Sequence, residues 1–404
     1  MRLQLRGVRA LSEHSLTGSG YGAAFGGIVR AEVVLPLRGW NGRKARGGLA
    51  MTDTFDLVRS PRLSIVIPTP ADTAAMEETL VSVLEHRPDD CEIVVALGCE
   101  YADPWNIREE VRFVQAPAGS SLVGCVNLGV AASAGEVVHI LAAGWRATEG
   151  WTDLPMERFE DDDVGAVVPL GVAADDRERV VSAGVRCAVG GRRIDVAADT
   201  RWRHAKATAC PPAGATEPQG PVLETGFWRL EVLTMAGRGF TTACGDATAD
   251  ADMAITLARS GRRVVVEPHS LVVAASATTG HVRAPAFAAG LHAERLFWRS
   301  LAGSSILPAL VMHVVEVVRH AIARAPLGTV PMLMGRLAAV LQFGSYLPRY
   351  LQLRNVIKQA TAGQPRGRAE AAEQQTIRID GPHAGFGRSR QRGDRESAPL
   401  RKSA

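Results

Sequence analysis

"LSIVIPTPADTAAMEETLVSVLEHRPDDCEIVVAL", residues 63–97, is the stretch on which the fold turns. An apolar run, LSIVIP (63–68), stops at Pro68-Thr69-Pro70. AAMEETLVSVLEH (74–86) follows at helical spacing, and EIVVAL (92–97) is a second short apolar run. Short β-rich runs separated by ten or more residues of amphipathic pattern mean parallel strands joined by crossover helices. The unit repeats downstream as VRFVQA (111–116), SLVGCVNLGVAASA (121–134) and EVVHIL (136–141). The spacing therefore predicts a three-layer α/β domain with a mostly parallel sheet. Between about 170 and 224, Gly, Pro and charged residues loosen the pattern. It resumes with FWRLEVLTMAG (227–237), a helix over 249–260 and the strand RVVVEP (263–268).

At 404 residues, with 46% hydrophobic and 22% charged content, the chain has the composition of a globular protein. Six cysteines lie without a CxxC or metal-ligand spacing, which points to neither a disulfide framework nor a zinc site, and a reducing cytoplasmic compartment is expected. The net charge of +4 gathers at the two ends. Residues 1–50 are rich in Gly and Arg and read as disordered or as a start-site extension ahead of Met51, with an organelle transit peptide as the rival reading. The α/β domain is assigned to 51–280. Residues 288–360 read as amphipathic helices, and 361–404 as a disordered basic tail without aromatic residues for base stacking, so no nucleic acid partner is expected.

The order of segments resembles the family 2 glycosyltransferases, enzymes of the GT-A fold that move a sugar from a nucleotide donor to an acceptor. The resemblance covers about residues 62–275. It rests on LSIVIPTP, on MEETLVSVL (76–84), on NLGVAASAGEVVHIL (127–141), and on FWRLEVLTMAGRGF followed by ADADMAITLARSGRRVVVEPHSLV. Four such pieces in order are more specific than any one of them. The resemblance implies a GT-A-like α/β/α sandwich followed by a C-terminal helical region. Its donor cleft would lie outside the carboxyl ends of the strands, on loops 69–75, 97–106 and 142–151.

Enzymes of this family neutralise the departing diphosphate with a cation held by an Asp-x-Asp pair, place a carboxylate under the base, and use a general base on the acceptor hydroxyl. Here the metal pair falls on Ala142 and Gly144, which offer no ligating side chain, so a divalent metal at the usual site is not expected and no cofactor is assigned. Arg146, Arg229 or a backbone loop are the candidates to take over its charge. The base-reading carboxylates fall on Ala96 and Leu97; Gly98 matches, and Glu100 or Asp103 could reach in. A third metal ligand falls near Ala274, with His269 and His281 on either side. The general base falls on Asp250, with Asp252 and Asp246 supporting it, although two acids at a helix start also suit plain capping. The resemblance also puts Pro68, Thr69, Gly98, Glu100, Asn127, Ala142 and Gly144 along the nucleotide sugar, and Trp151 against the acceptor, with core packing the other reading of Trp151.

Two functions remain open from the sequence. One is transfer of a sugar from a nucleotide-sugar donor to a cell-envelope glycan, glycolipid or glycoprotein acceptor. The other is a catalytically degenerate relative serving as a binding or scaffold module. The stretches 307–324 and 332–358 mix apolar faces with cations and aromatic residues, which suits peripheral contact with the inner face of an anionic membrane as well as packing within the protein.

Overall fold

The computed structural model describes residues 60–198, 200, 201, 217–235, 237, 239–275 and 284–363. The expectations for residues 1–50, for His281 and for the tail beyond 363 lie outside the described residues.

β1 (Leu63–Thr69) is buried at all seven positions, as befits a parallel strand covered on both faces. Its residues alternate between two cores. Leu63, Ile65 and Ile67 meet Met76, Leu80 and Val83 of α1 (Thr73–Glu85), while Val66 turns the other way. Asp72 starts α1 by accepting the Ala75 N–H at 3.0 Å. β2 (Cys91–Leu97) and β3 (Arg112–Gln115) extend the sheet beyond β1. α2 (Leu122–Ala132) then crosses back so closely that a Cβ on Gly129 would lie 2.3 Å from a Val66 methyl, and β4 (Val137–Leu141) pairs in parallel with the free side of β1.

The chain continues through β5 (Trp145–Ala147), α3 (Asp153–Arg158), the fully buried β6 (Val164–Ala173), β7 (Val180–Ser182) and a hairpin of β8 (Val185–Cys187) and β9 (Arg193–Asp195). β10 (Thr225–Arg229), α4 (Leu230–Met235), α5 (Ala249–Ser260) and β11 (Arg263–Ala274) complete the domain. The main sheet has nine strands in the order β3-β2-β1-β4-β10-β6-β11-β5, with β7 on β6. β10 runs antiparallel between β4 and β6, and β5 runs antiparallel on β11. The mostly parallel α/β architecture is thus the expected one. α5 keeps its expected limits and ends on Gly261 in the left-handed region (φ 76). β11 runs six residues past its predicted end, and the loosely patterned stretch holds β7, β8 and β9.

Four helices follow: α6 (Ala286–Ser300), α7 (Ile306–Ala323), α8 (Thr329–Val340) and α9 (Leu347–Gly363). They join the α/β domain in one compact unit through buried charge. Asp252 of α5 receives Arg299 of α6 at 2.8 Å and Arg349 of α9 at 2.8 Å. Gly190 and Gly191, in the turn of the β8–β9 hairpin, touch α7 and α6 so tightly that a Cβ there would come within 2.7 Å of Met312 O and 2.6 Å of Phe297 Cβ.

Candidate functional site

Hydrogen bonds stitch the carboxyl ends of β1, β2 and β4 into one rim. Gly98 N–H donates to Thr69 O at 2.8 Å, Ala143 N–H to Pro68 O at 3.3 Å, and Ala142 N–H to Glu224 O, just ahead of β10, at 2.9 Å. Gly98 is required by this closeness, since its Cβ would sit 2.9 Å from Pro70 O. The Thr69 hydroxyl is fully buried and has no hydrogen-bond partner among the described residues. The nucleotide-side candidates Pro68, Thr69, Gly98, Ala142 and Gly144 therefore do share one edge of the sheet. Glu100 is exposed beyond it. Asp103 serves its own loop, accepting from Ile107 N–H at 3.2 Å and pairing with Arg108 at 3.3 Å.

The segment after β4 is a tight turn. Trp145 N–H returns to Ala142 O at 3.0 Å, and Gly144 adopts φ 92, a region costly for a side chain. Its N–H donates to Thr79 Oγ1 at 3.0 Å, which ties the turn to α1. Ala142 is 4% exposed and packs in the core. Neither residue can ligate through a side chain, and no group of three or more His, Cys, Asp or Glu that could hold a metal ion stands together among the described residues. The residues present do not fit the divalent cation of the resembled family.

The three acids after β10 have separate tasks. Asp246 caps α2, taking Val123 N–H at 2.9 Å and Leu122 N–H at 3.2 Å. Asp252 holds α6 and α9, as above. Asp250 is fully buried and accepts Arg193 Nε at 2.9 Å and Nη2 at 2.8 Å, with Leu223 N–H at 3.3 Å and Ala251 N–H at 2.7 Å. These contacts correct the expectation that Asp246 and Asp252 support a base, because both are committed to holding elements together. Asp250 is joined to the segment ahead of β10 through Leu223 N–H, and its carboxylate is held by Arg193 in this conformation. Burial works against the Arg193 charge, and Asp250, Asp195 and Glu224 outweigh it, so its pKa stands above the ordinary value.

Asn127 does tie α2 to the loop beside the site: it donates to Phe240 O and accepts Phe240 N–H, both at 2.7 Å. Trp151 is a correction. It is fully buried in the core under α1, and an acceptor cannot reach its ring. Arg229 is another, because it lies at the far end of β10, held by Glu136 at 2.6 Å and by the carbonyls of Val164 and Phe159. Arg146 pairs with Glu78 of α1 at 2.7 Å. His269 lies against Glu267. His139, inside β4, stacks on Phe227 with ring centres 3.7 Å apart, and burial lowers its pKa to about 3 although Gly226 O accepts from the ring.

Arg193 and Glu224 escaped the sequence reading. Arg193 lies in GGRRID (190–195) inside the loosely patterned stretch, and Glu224 immediately precedes the recognisable TGFWR. A pair of glycines followed by two arginines was the available signal. Together these residues form a chain of contacts from Ala142 through Glu224 and Leu223 to Asp250 and Arg193.

No family model matches the chain, and no curated protein matches it. Solved structures do. The mannosyltransferase PcManGT from Pyrobaculum calidifontis, in complex with GDP-mannose and Mn2+, is 18% identical over 74% of this chain and 84% of its own, with a TM-score of 0.42. Residues 1–349 of TarS from S. aureus are 12% identical over 75% and 92%, with a TM-score of 0.47. GalNAc-T7, with UDP, GalNAc and Mn2+, is 13% identical over 65% and 55%, with a TM-score of 0.43. At such identities the likeness concerns architecture alone, and the ligands named belong to those proteins.

Proposed function

We propose that the chain is a glycosyltransferase of family 2 type that moves a sugar from a nucleotide-sugar donor to a glycan or lipid-linked acceptor. One observation carries this reading: the four segments that resemble the family, with the residues flanking them, are joined by hydrogen bonds near one edge of the sheet, through Gly98 on Thr69, Ala143 on Pro68, Gly144 on Thr79, Ala142 on Glu224, Leu223 on Asp250 and Val123 on Asp246. Ligands in open α/β sheets lie outside such strand ends. In the reaction the acceptor oxygen bonds to the anomeric carbon as the bond to the nucleoside diphosphate breaks, and the acceptor proton passes to Asp250 once Arg193 has moved aside. The diphosphate is then met by backbone N–H groups and cations rather than by a protein-bound metal.

A second reading, a binding module without turnover, is favoured by the occupied Asp250. Release of free nucleoside diphosphate from a panel of nucleotide sugars, with and without membrane and glycan extracts, separates the two. Turnover by the unaltered chain supports transfer, and its loss in Asp250→Asn, measured where circular dichroism shows the variant still folded, assigns the proton acceptor. Donor binding with no release under any acceptor supports the module.

We place the protein in the cytoplasm at the inner face of the membrane. α7 is long and apolar enough to cross a bilayer by length and composition alone. Its polar side is nevertheless spent on the protein. His313 reaches Gly190 O at 3.0 Å and Glu294 at 3.1 Å, and Glu316 pairs with Arg192. The side turned outward carries Leu307, Leu310, Val311, Val314, Val315 and Val318, all more than a third exposed. Exposed Arg319, Arg354 and Lys358 on the same helical region supply the charge that an anionic lipid surface complements.

A further inference from the structure

A cavity of about 500 Å³ opens between the β8–β9 turn, the start of α5 and helices α6, α7 and α8. Among the described residues, five arginines line it against two carboxylates, Asp195 and Glu316. Asp250 and Glu294 stand behind two of those arginines, Arg193 and Arg336. Arg192 and Arg319 approach Glu316 from either side, each through Nε, at 3.0 and 2.9 Å. Their four Nη nitrogens have no hydrogen-bond partner among the described residues, and both side chains remain partly exposed. Two guanidinium forks fixed on one carboxylate, with their outer nitrogens unspent, match the oxygens of a tetrahedral anion.

The lining is incomplete in a second way. Arg336 is 7% exposed, yet its Nε is buried without a partner, as is Nδ1 of His292. A buried polar atom left unpaired is costly, and a ligand that draws these side chains toward it removes that cost. Thr248, at the N-terminal end of α5, also lines the cavity and makes no side-chain cap, so the helix dipole adds to the positive potential.

We infer that this cavity binds a phosphate group carried by the acceptor. The link to an acceptor rests on the glycosyltransferase reading; the phosphate chemistry does not. The placement fits, because Arg193 joins the two regions, lining the cavity while it holds Asp250 at the rim. A phosphate in the cavity competes with Asp250 for that guanidinium, and binding the acceptor thereby releases the base.

The test compares the unaltered full chain with Arg192→Gln, Arg319→Gln and, as a control outside the cavity, the exposed Arg177→Gln. Each cavity variant leaves the buried Glu316 one partner, so the Tm of each is measured first and titrations are run well below it. Calorimetric titration with inorganic phosphate at fixed ionic strength is expected to show binding that weakens about tenfold in the two cavity variants, the loss of one charge-assisted contact, and is unchanged in Arg177→Gln. A parallel arm uses phosphatidylcholine vesicles with and without phosphatidic acid. A vesicle signal that falls with the same two variants puts the phosphate on a lipid. One that does not puts it on a soluble molecule, and the proposal stands in either case. Equal phosphate affinity in all four proteins, or none in any, overturns it. Nucleotide-sugar binding should survive in Arg192→Gln and Arg319→Gln; its loss there would merge the cavity with the donor site and also overturn the assignment. Failure of nucleotide sugars to bind the unaltered protein would sink the donor reading and leave the phosphate result intact.

Discussion

Asp252 faces two guanidinium groups, the half-buried Arg299 and the buried Arg349, and its backbone carbonyl takes a further bond from Arg349. Removing the charge in Asp252→Asn leaves both arginines short of a partner, and is expected to cost about 3–5 kcal/mol in urea denaturation. Burial works to raise the Asp252 pKa, and Arg349 and Arg299 more than offset it, so the group stands below the usual carboxylate range. Its stabilisation is present above the unfolded value of about 4 and disappears as the pH falls towards the lowered folded one. His139 acts at higher pH. Unfolded, it binds a proton below about 6.5, whereas burial holds the folded ring neutral down to about 3. Between those values the unfolded state binds more protons, so stability rises with pH and is lost by roughly 1.4 kcal/mol for each unit that the pH drops. Denaturation curves from pH 7 to pH 4 should show that slope, and His139→Gln should flatten it. A pH-independent midpoint above pH 5 would contradict the account of His139. Asp250→Asn should also destabilise by several kcal/mol, because it strips the partner from a buried Arg193.

At the level of elements, α1, α2, α5 and the strands β1, β2 and β4 were legible because each carries a long apolar period or an unbroken buried run. β5, β7, β8 and β9 were not, being three residues each, too short for any period to register. The acidic loop was legible as a place but not as a set of tasks. Asp246, Asp250 and Asp252 differ in role through partners 27 to 124 residues away, which spacing does not reveal. α7 was legible as amphipathic, and its exposed side leads to a prediction. Val311→Asp combined with Val318→Asp, both exposed at more than half of their surface, should leave the Tm nearly unchanged while abolishing cosedimentation with anionic vesicles. Undiminished cosedimentation of this variant would show that the apolar face does not dock on lipid. Cutting the chain before α7 would be uninformative, since Arg349 of α9 is part of the buried network on Asp252.

Across the whole molecule, the sheet order brings distant segments to one edge, and β10 is the element that does so. By entering antiparallel beside β4 it delivers Glu224 and Leu223 to the carboxyl ends of the parallel strands, where Ala142 and Asp250 wait. The edge that carries the candidate site was thus readable from strand order, whereas its charge pattern depended on Arg193, from a hairpin without a periodic signal. The turn at 142–144 is built from a core alanine and a glycine at positive φ and offers no carboxylate to a ligand. The most direct measurement is the melting temperature of the full chain against a panel of nucleotide sugars, with Mn2+ and with a chelator. The account predicts that one nucleotide family raises the Tm, by about 2.7 kcal/mol of added stability at a hundredfold excess over Kd, and equally in chelator. No rise with any nucleotide sugar, or a rise only with Mn2+ present, would contradict it.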